Sequence, residues 1–261
     1  MQPKIVSDSP KASFSPGFLS QTKRLFEAFL ESHPAENLSR LEKQKLLDFK
    51  VDVDLDTSRP SPASMQAAWN NLAAKYDAIP TLDQRLKVFE KLFLSLAFRG
   101  DEDLLSVGCG SGLCEVFIAK HLNQKGKTHC LDFSRPFLER ALRLAQKEGA
   151  AHLMDFLEAP AGRIPLPGHS VDKILCLHSL EYAPDWEQAL REFRRVLRPS
   201  DLARLAVFCN DFPATSFSLH ALLEEAKRAG FALLESAAVK VRNFRGGQGE
   251  IAFLLFKPAG P

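Results

Sequence analysis

None of the five cysteines in this chain stands in a Cys-x-x-Cys pair, which excludes the usual framework of a structural zinc site. No metal is expected. The odd count also excludes a complete set of disulfides. Cys109, Cys114, Cys130, Cys176 and Cys209 lie mostly in or beside apolar runs, where cysteine behaves as a small hydrophobe. Long apolar runs are missing too, so no segment is expected to cross a bilayer as a helix. Met1-Gln2-Pro3-Lys4 lacks the apolar core of a signal peptide. These absences lead to the expectation of a reducing, cytoplasmic setting. Charge of one sign is scarce as well. A formal net charge of +2 gives no global field for nucleic acid or an anionic membrane, and neither is expected as a partner. Lys240, Arg242 and Arg245 gather near the end, but a nucleic-acid footprint needs a broader stripe, so they read as a solvated loop. There is no internal repeat and no heptad array.

What is present is ordinary for a globular protein: 261 residues, 45% hydrophobic and 25% charged, suited to one large domain or one domain with an appendage. Residues 1–17 hold Pro3, Pro10, Pro16 and several serines and read as a flexible arm. Gln21–Leu30 and Leu38–Phe49 show the apolar spacing of amphipathic helices. Asp52–Pro62 reads as a linker. Ser64 opens a helical pattern through Trp69 and Tyr76, and Leu82–Phe98 predicts another helix, stopped at Gly100. Residues 18–99 thus form a helical extension. It is read as a lid over the acceptor site, or as a homodimer or partner surface.

After Gly100 short apolar runs alternate with helical stretches. Strands are predicted over Leu104–Val107, Thr128–Leu131, His152–Leu157, Val171–Leu177, Leu202–Cys209, Phe231–Val239 and Ile251–Phe256. Helices are predicted over Leu113–Leu122, Pro136–Lys147, Trp186–Leu197 and Ser218–Ala229. Such alternation implies parallel strands with right-handed crossovers. The last two strands have no helix between them and should pair as an antiparallel hairpin.

The informative stretch is Ser106-Val107-Gly108-Cys109-Gly110-Ser111-Gly112, between the first strand and the first helix of this region. Glycines there permit a sharp turn and close approach of a ligand. Twenty residues past Gly112 the second strand ends in Asp132, whose carboxylate can accept hydrogen bonds from both hydroxyls of a ribose. Turn and acid together predict a nucleoside-containing cofactor. A dinucleotide prefers Gly-x-Gly-x-x-Gly, whereas here the third glycine falls one place early and Leu113 occupies its position. The spacing suits a ligand without phosphate.

These residues resemble the class I methyltransferases, particularly the small-molecule group that includes the ubiquinone/menaquinone enzymes, over roughly Trp69–Pro258. Leu104–Gly112 looks like the family's first motif and Leu131-Asp132-Phe133-Ser134 like its second. Ile164-Pro165-Leu166-Pro167 and Ser170-Val171-Asp172 look like the entry to the fourth strand, followed by His178-Ser179-Leu180-Glu181-Tyr182. Arg194–Pro199 and Leu222–Phe231 look like later landmarks. Trp69–Asp77 is similar to a short Tyr-Asp helix that caps the cofactor. The resemblance implies an α/β, Rossmann-like fold with a seven-stranded, mostly parallel sheet whose last strand is antiparallel. It implies an S-adenosylmethionine-dependent methyltransferase acting on a small molecule, with S-adenosylhomocysteine as product. The implied cofactor residues are Tyr76, Gly108, Cys109, Gly110, Ser111, Gly112, Asp132, Phe133, Glu158, Leu177 and His178. Candidates for catalysis are His178, Glu181 and Tyr182, with packing as their alternative role. Three segments depart from the family: Ser106 replaces an acid that helps hold the methionine amino group, Pro160 replaces an acid near the adenine, and Ser200-Asp201 replaces Gly-Gly. A non-catalytic binding or assembly module and an NAD-dependent oxidoreductase are the rival readings.

Overall fold

A computed structural model describes residues 16–34, 62–73, 75–78, 82–210, 217–242 and 248–260. The N-terminal arm before residue 16, the helix expected over Leu38–Phe49, nearly all of the expected linker, and Arg245 lie outside the described residues.

Seven strands form one sheet: β1 (Leu104–Val107), β2 (Thr128–Asp132), β3 (Met154–Glu158), β4 (Lys173–Leu177), β5 (Arg204–Cys209), β6 (Phe231–Arg242) and β7 (Gln248–Pro258), in the order β3-β2-β1-β4-β5-β7-β6. The first five are parallel, as strand–helix alternation dictates, and β7 runs antiparallel to both its neighbours. The terminal hairpin is longer than the apolar runs alone indicate. Polar residues continue the ladder outward, with Lys240 paired to Glu250 and Arg242 to Gln248. Lys240 and Arg242 therefore sit exposed on a strand instead of in a loop, alternating with the inward-facing Val239 and Val241. Val171, expected to begin the fourth strand, makes only an isolated bridge to Leu197, because β4 starts where pairing with β1 starts.

Helices cover both faces. α1 (Pro16–Ser32), α3 (Leu82–Leu96), α4 (Leu113–His121) and α5 (Arg135–Lys147) pack with one face; α6 (Trp186–Val196) and α7 (Leu219–Arg228) cover the other. α2 (Pro62–Leu72) is tied to the loop after β2: Gln66 donates to the Phe133 carbonyl, and Ser134 donates to Asn70 at 2.6 Å. The apolar edge of α1 is consumed within the chain. Phe26 stacks on Phe89 at 4.0 Å and meets Phe117 edge-on at 4.9 Å. No described helix is long and apolar enough to cross a membrane.

The amino ends of the strands are closed by charge. Arg198 donates to Asp172 and Asp103, joining the residues that precede β4 and β1. Lys173 is buried at the start of β4, donating to the carbonyl of Leu96 at the end of α3, to that of Ala97 just beyond it, and to Glu102 at 2.8 Å. Burial raises the Glu102 pKa, but Lys173 and the amides of Arg99 and Gly100 outweigh it and hold the carboxyl below its ordinary value. Removing only the cation leaves a buried charge unpaired. Lys173→Met is expected to cost about 3–5 kcal/mol in urea unfolding, with part recovered by adding Glu102→Gln.

Candidate functional site

Chain order reverses between β1 and β4, the point where open α/β sheets bind ligands at the carboxyl edge. A cavity of about 870 Å³ lies there, walled by the turn after β1, the ends of β2 and β4, the loop after β3, and α2 and α3.

The glycine turn is built by packing. Gly108, Gly110 and Gly112 have φ of 67°, 57° and 76°, in the left-handed region that side chains disfavour. A Cβ on Gly108 would lie 2.3 Å from the Ser179 side chain, and one on Gly112 would lie 2.7 Å from Ala141. Those two glycines bring the β4 loop and α5 onto the turn. Gly112, packed on Ala141, is not among the residues of the cavity wall. Most of the turn's amides are already occupied: Gly108 and Cys109 donate to the Leu131 carbonyl, Gly112 to Cys109, and Gly110 to Asp132.

Asp132 ends β2 and lines the cavity at 5% exposure. One oxygen accepts from Gly110 N at 3.0 Å and the other from Ser134 N at 2.9 Å. These amides fix the carboxylate, but burial outweighs them and pushes its pKa to about 6. Tyr76, Cys109, Ser111, Phe133, Leu177 and His178 also line the cavity. Asp77 braces this wall: its carboxylate accepts from Ser111, Arg85 and Arg140. The Cys109 thiol is pushed well above its ordinary value by its Cys130 contact and burial, so it stays protonated and is no nucleophile.

Glu158 does not reach the cavity; it pairs at 2.6 Å with Arg135 on the flank. Pro160 and its neighbours Ala159 and Ala161 form that wall instead. Glu181 is also off the wall, with a fully buried side chain that accepts from Asn210 N at 3.2 Å. His178 sits at φ 55°. Its Nδ1 is 3.4 Å from Glu181, and its Nε2 is buried without a hydrogen-bond partner among the described residues. Tyr182 reaches the cavity and meets Trp69 edge-on at 5.1 Å.

Sequence reasoning missed Met65, Arg85 and, above all, Glu115 on the cavity wall. Glu115 is 3% exposed and accepts from Ser106 Oγ at 2.7 Å. Burial pushes its pKa to about 7 despite that hydrogen bond. The available signal was an acid within the otherwise apolar opening Leu113-Cys114-Glu115-Val116-Phe117.

Residues 105–203 match the family described as methyltransferase domain. The ubiquinone/menaquinone biosynthesis C-methyltransferase UbiE of Bartonella tribocorum is 36% identical over 96 residues, 37% of this chain and 37% of that protein. Methyltransferase GfsG of Streptomyces halstedii is 31% identical over 128 residues, 49% of this chain and 45% of that protein. The chain thus spans less than half the length of these curated relatives. Among solved structures, a SAM-dependent methyltransferase from Aquifex aeolicus superposes with a TM-score of 0.55 at 21% identity, covering 66% of this chain and 92% of that one. The [4+2]-cyclase SpnF gives a TM-score of 0.58 at 21% identity over 68% and 83%. The fold is the Rossmann-like methyltransferase fold. Residues 105–203 thus carry the sequence signature of a methyltransferase domain, on a fold shared with S-adenosylmethionine-dependent methyltransferases.

A buried carboxyl whose folded pKa is raised costs stability above that pKa, and the cost disappears as pH falls toward the unfolded value. For Glu115 that window runs from about 7 down to 4.5. Glu115→Gln keeps an acceptor for Ser106. It is expected to stabilise the ligand-free protein by about 1–3 kcal/mol at pH 8.5 and hardly at pH 4.5, read from urea unfolding at both values.

Proposed function

We propose that this protein transfers a methyl group from S-adenosylmethionine to a small molecule carrying a substantial apolar surface. The observation that carries the cofactor reading is the pair of cavity-lining carboxylates, Asp132 and Glu115, flanking a turn whose amides are largely spent. A pyrophosphate needs free amides and is repelled by a buried carboxylate such as Glu115 at the helix start, so a dinucleotide is disfavoured. A nucleoside carrying hydroxyl and ammonium donors fits. Asp132 would hold the ribose hydroxyls, with Phe133 and Ala159–Ala161 against the base. When bound, the cofactor supplies an electrophilic methyl on a sulfonium leaving group.

The fold alone does not settle the reaction, since one of its structural neighbours is named for a cyclisation. The site supports methyl transfer by alignment. Trp69, Tyr76, Phe137 and Tyr182 form a cluster of edge-on and tilted rings at the cavity. Such walls exclude water and hold an apolar acceptor. α2, fastened by Gln66 and Asn70, acts as a lid. His178 Nδ1 faces Glu181 Oε1 at 3.4 Å, and burial of both groups favours packing over proton transfer. Alignment of nucleophile and methyl is then the main contribution of the chain. A homodimer through the N-terminal helices would have to use a surface of α1 other than its Phe26 edge, which is already covered.

Calorimetric titration tests the cofactor. S-adenosylhomocysteine is expected to bind in the micromolar range and NAD not at all. Asp132→Ala should weaken S-adenosylhomocysteine binding by about tenfold to a hundredfold, the size of a lost charge-assisted hydrogen bond. Unchanged affinity in that variant, or binding of NAD instead, sinks the assignment.

A further inference from the structure

Glu115 is a carboxylate that the fold buries without neutralising. It lies in the first turn of α4, on the cavity wall at 3% exposure. Ser106 Oγ donates to one of its oxygens at 2.7 Å and orients the group. Among the described residues it forms no ion pair. Its charged neighbours do not supply one. Arg85 of α3 exerts an attraction but spends its guanidinium on Asp77. Asp132 of β2 has the same sign, and the facing thiols of Cys109, Cys114 and Cys130 are neutral. A buried carboxyl in that setting is completed only by a cation that arrives with a ligand.

We infer that Glu115, steered by Ser106, receives the ammonium group at the amino-acid end of the adenosyl cofactor. This rests on the cofactor reading above and adds to it the residue that reads the amino-acid end. The ligand's other groups do not satisfy Glu115. The ribose hydroxyls belong to Asp132, the ligand's own carboxylate is repelled, and a sulfonium has no hydrogen to donate. An ammonium brings both charge and donors. Position 106, on β1, holds a hydroxyl, and the helix next to it supplies the acid nine residues later. Binding then draws Glu115 into its ionised form, so below pH 7 a proton is released to solvent, and affinity falls as pH drops.

The test compares S-adenosylhomocysteine with 5′-methylthioadenosine, which keeps the adenosyl part and lacks the amino-acid end. Neither carries a sulfonium, so the ammonium is isolated from that charge. Both engage Asp132, so its titration cancels in the comparison. Titrations at pH 6 and pH 8, each in two buffers of different ionisation enthalpy, give affinity and proton release. At pH 6, S-adenosylhomocysteine should release roughly one proton more than methylthioadenosine. Glu115→Gln should weaken S-adenosylhomocysteine on the order of tenfold or more at pH 8. The same variant should leave methylthioadenosine within about twofold and abolish the extra proton. Equal proton release for the two ligands on the unaltered protein overturns the inference, as does S-adenosylhomocysteine binding that Glu115→Gln leaves unchanged. If Glu115→Gln loses both ligands, the proton release of the unaltered protein decides. If the unaltered protein binds neither ligand, the cofactor reading falls and this assignment with it.

Discussion

The turn from Gly108 to Gly112 is where β1, β2, the β4 loop and α5 meet at distances that leave no room for side chains. The close approach of Ser179 to Gly108 and of Ala141 to Gly112 requires glycine, and so does the left-handed backbone that carries the chain from strand to helix. Gly110 lends its amide to Asp132, so the same turn that shapes the cavity also aims the acid at the end of β2. Loosening any one of these contacts would shift the others, because close-packed interiors transmit displacement.

From that turn follows an electrostatic arrangement that only a ligand completes. The amino ends of β1 and β4 are closed by Arg198 and Lys173, each paired with acids. At the opposite edge, Asp132 at the end of β2 and Glu115 in the first turn of α4 are both buried, both raised in pKa by that burial, and neither paired with a cation among the described residues. A protein selected for stability alone would not keep two such groups side by side. His178, held at positive φ on the same cavity wall, is further strain at this edge. Charge balanced at one end of the sheet and left open at the other marks the functional end.

Much of this was legible in the sequence, for identifiable reasons. Strands β1, β4 and β5 are buried on both faces and read as continuous apolar runs. The place of Leu113 after Gly112 separated this turn from a dinucleotide motif. Other features were not legible because they depend on partners distant in the chain. Nothing near Gly112 announces that Ala141 packs against it. Glu158 stands opposite Asp132 in the sheet, yet Arg135 draws it to the flank. The hairpin outran its apolar core because polar residues such as Lys240 and Glu250 carried the ladder on. Glu115 escaped notice because one acid in the first turn of a helix is commonly a solvated dipole partner. Only its contact with Ser106 across the β1–α4 junction reveals that it faces inward.

On the proposed reading, the open charge at this edge is shaped for the two ends of one adenosyl ligand. A crystal structure of the protein with S-adenosylhomocysteine tests that most directly. It should place the ribose hydroxyls on Asp132 and the ammonium about 3 Å from the Glu115 carboxylate. A ligand bound elsewhere, or bound here with its ammonium turned away from Glu115, would contradict it.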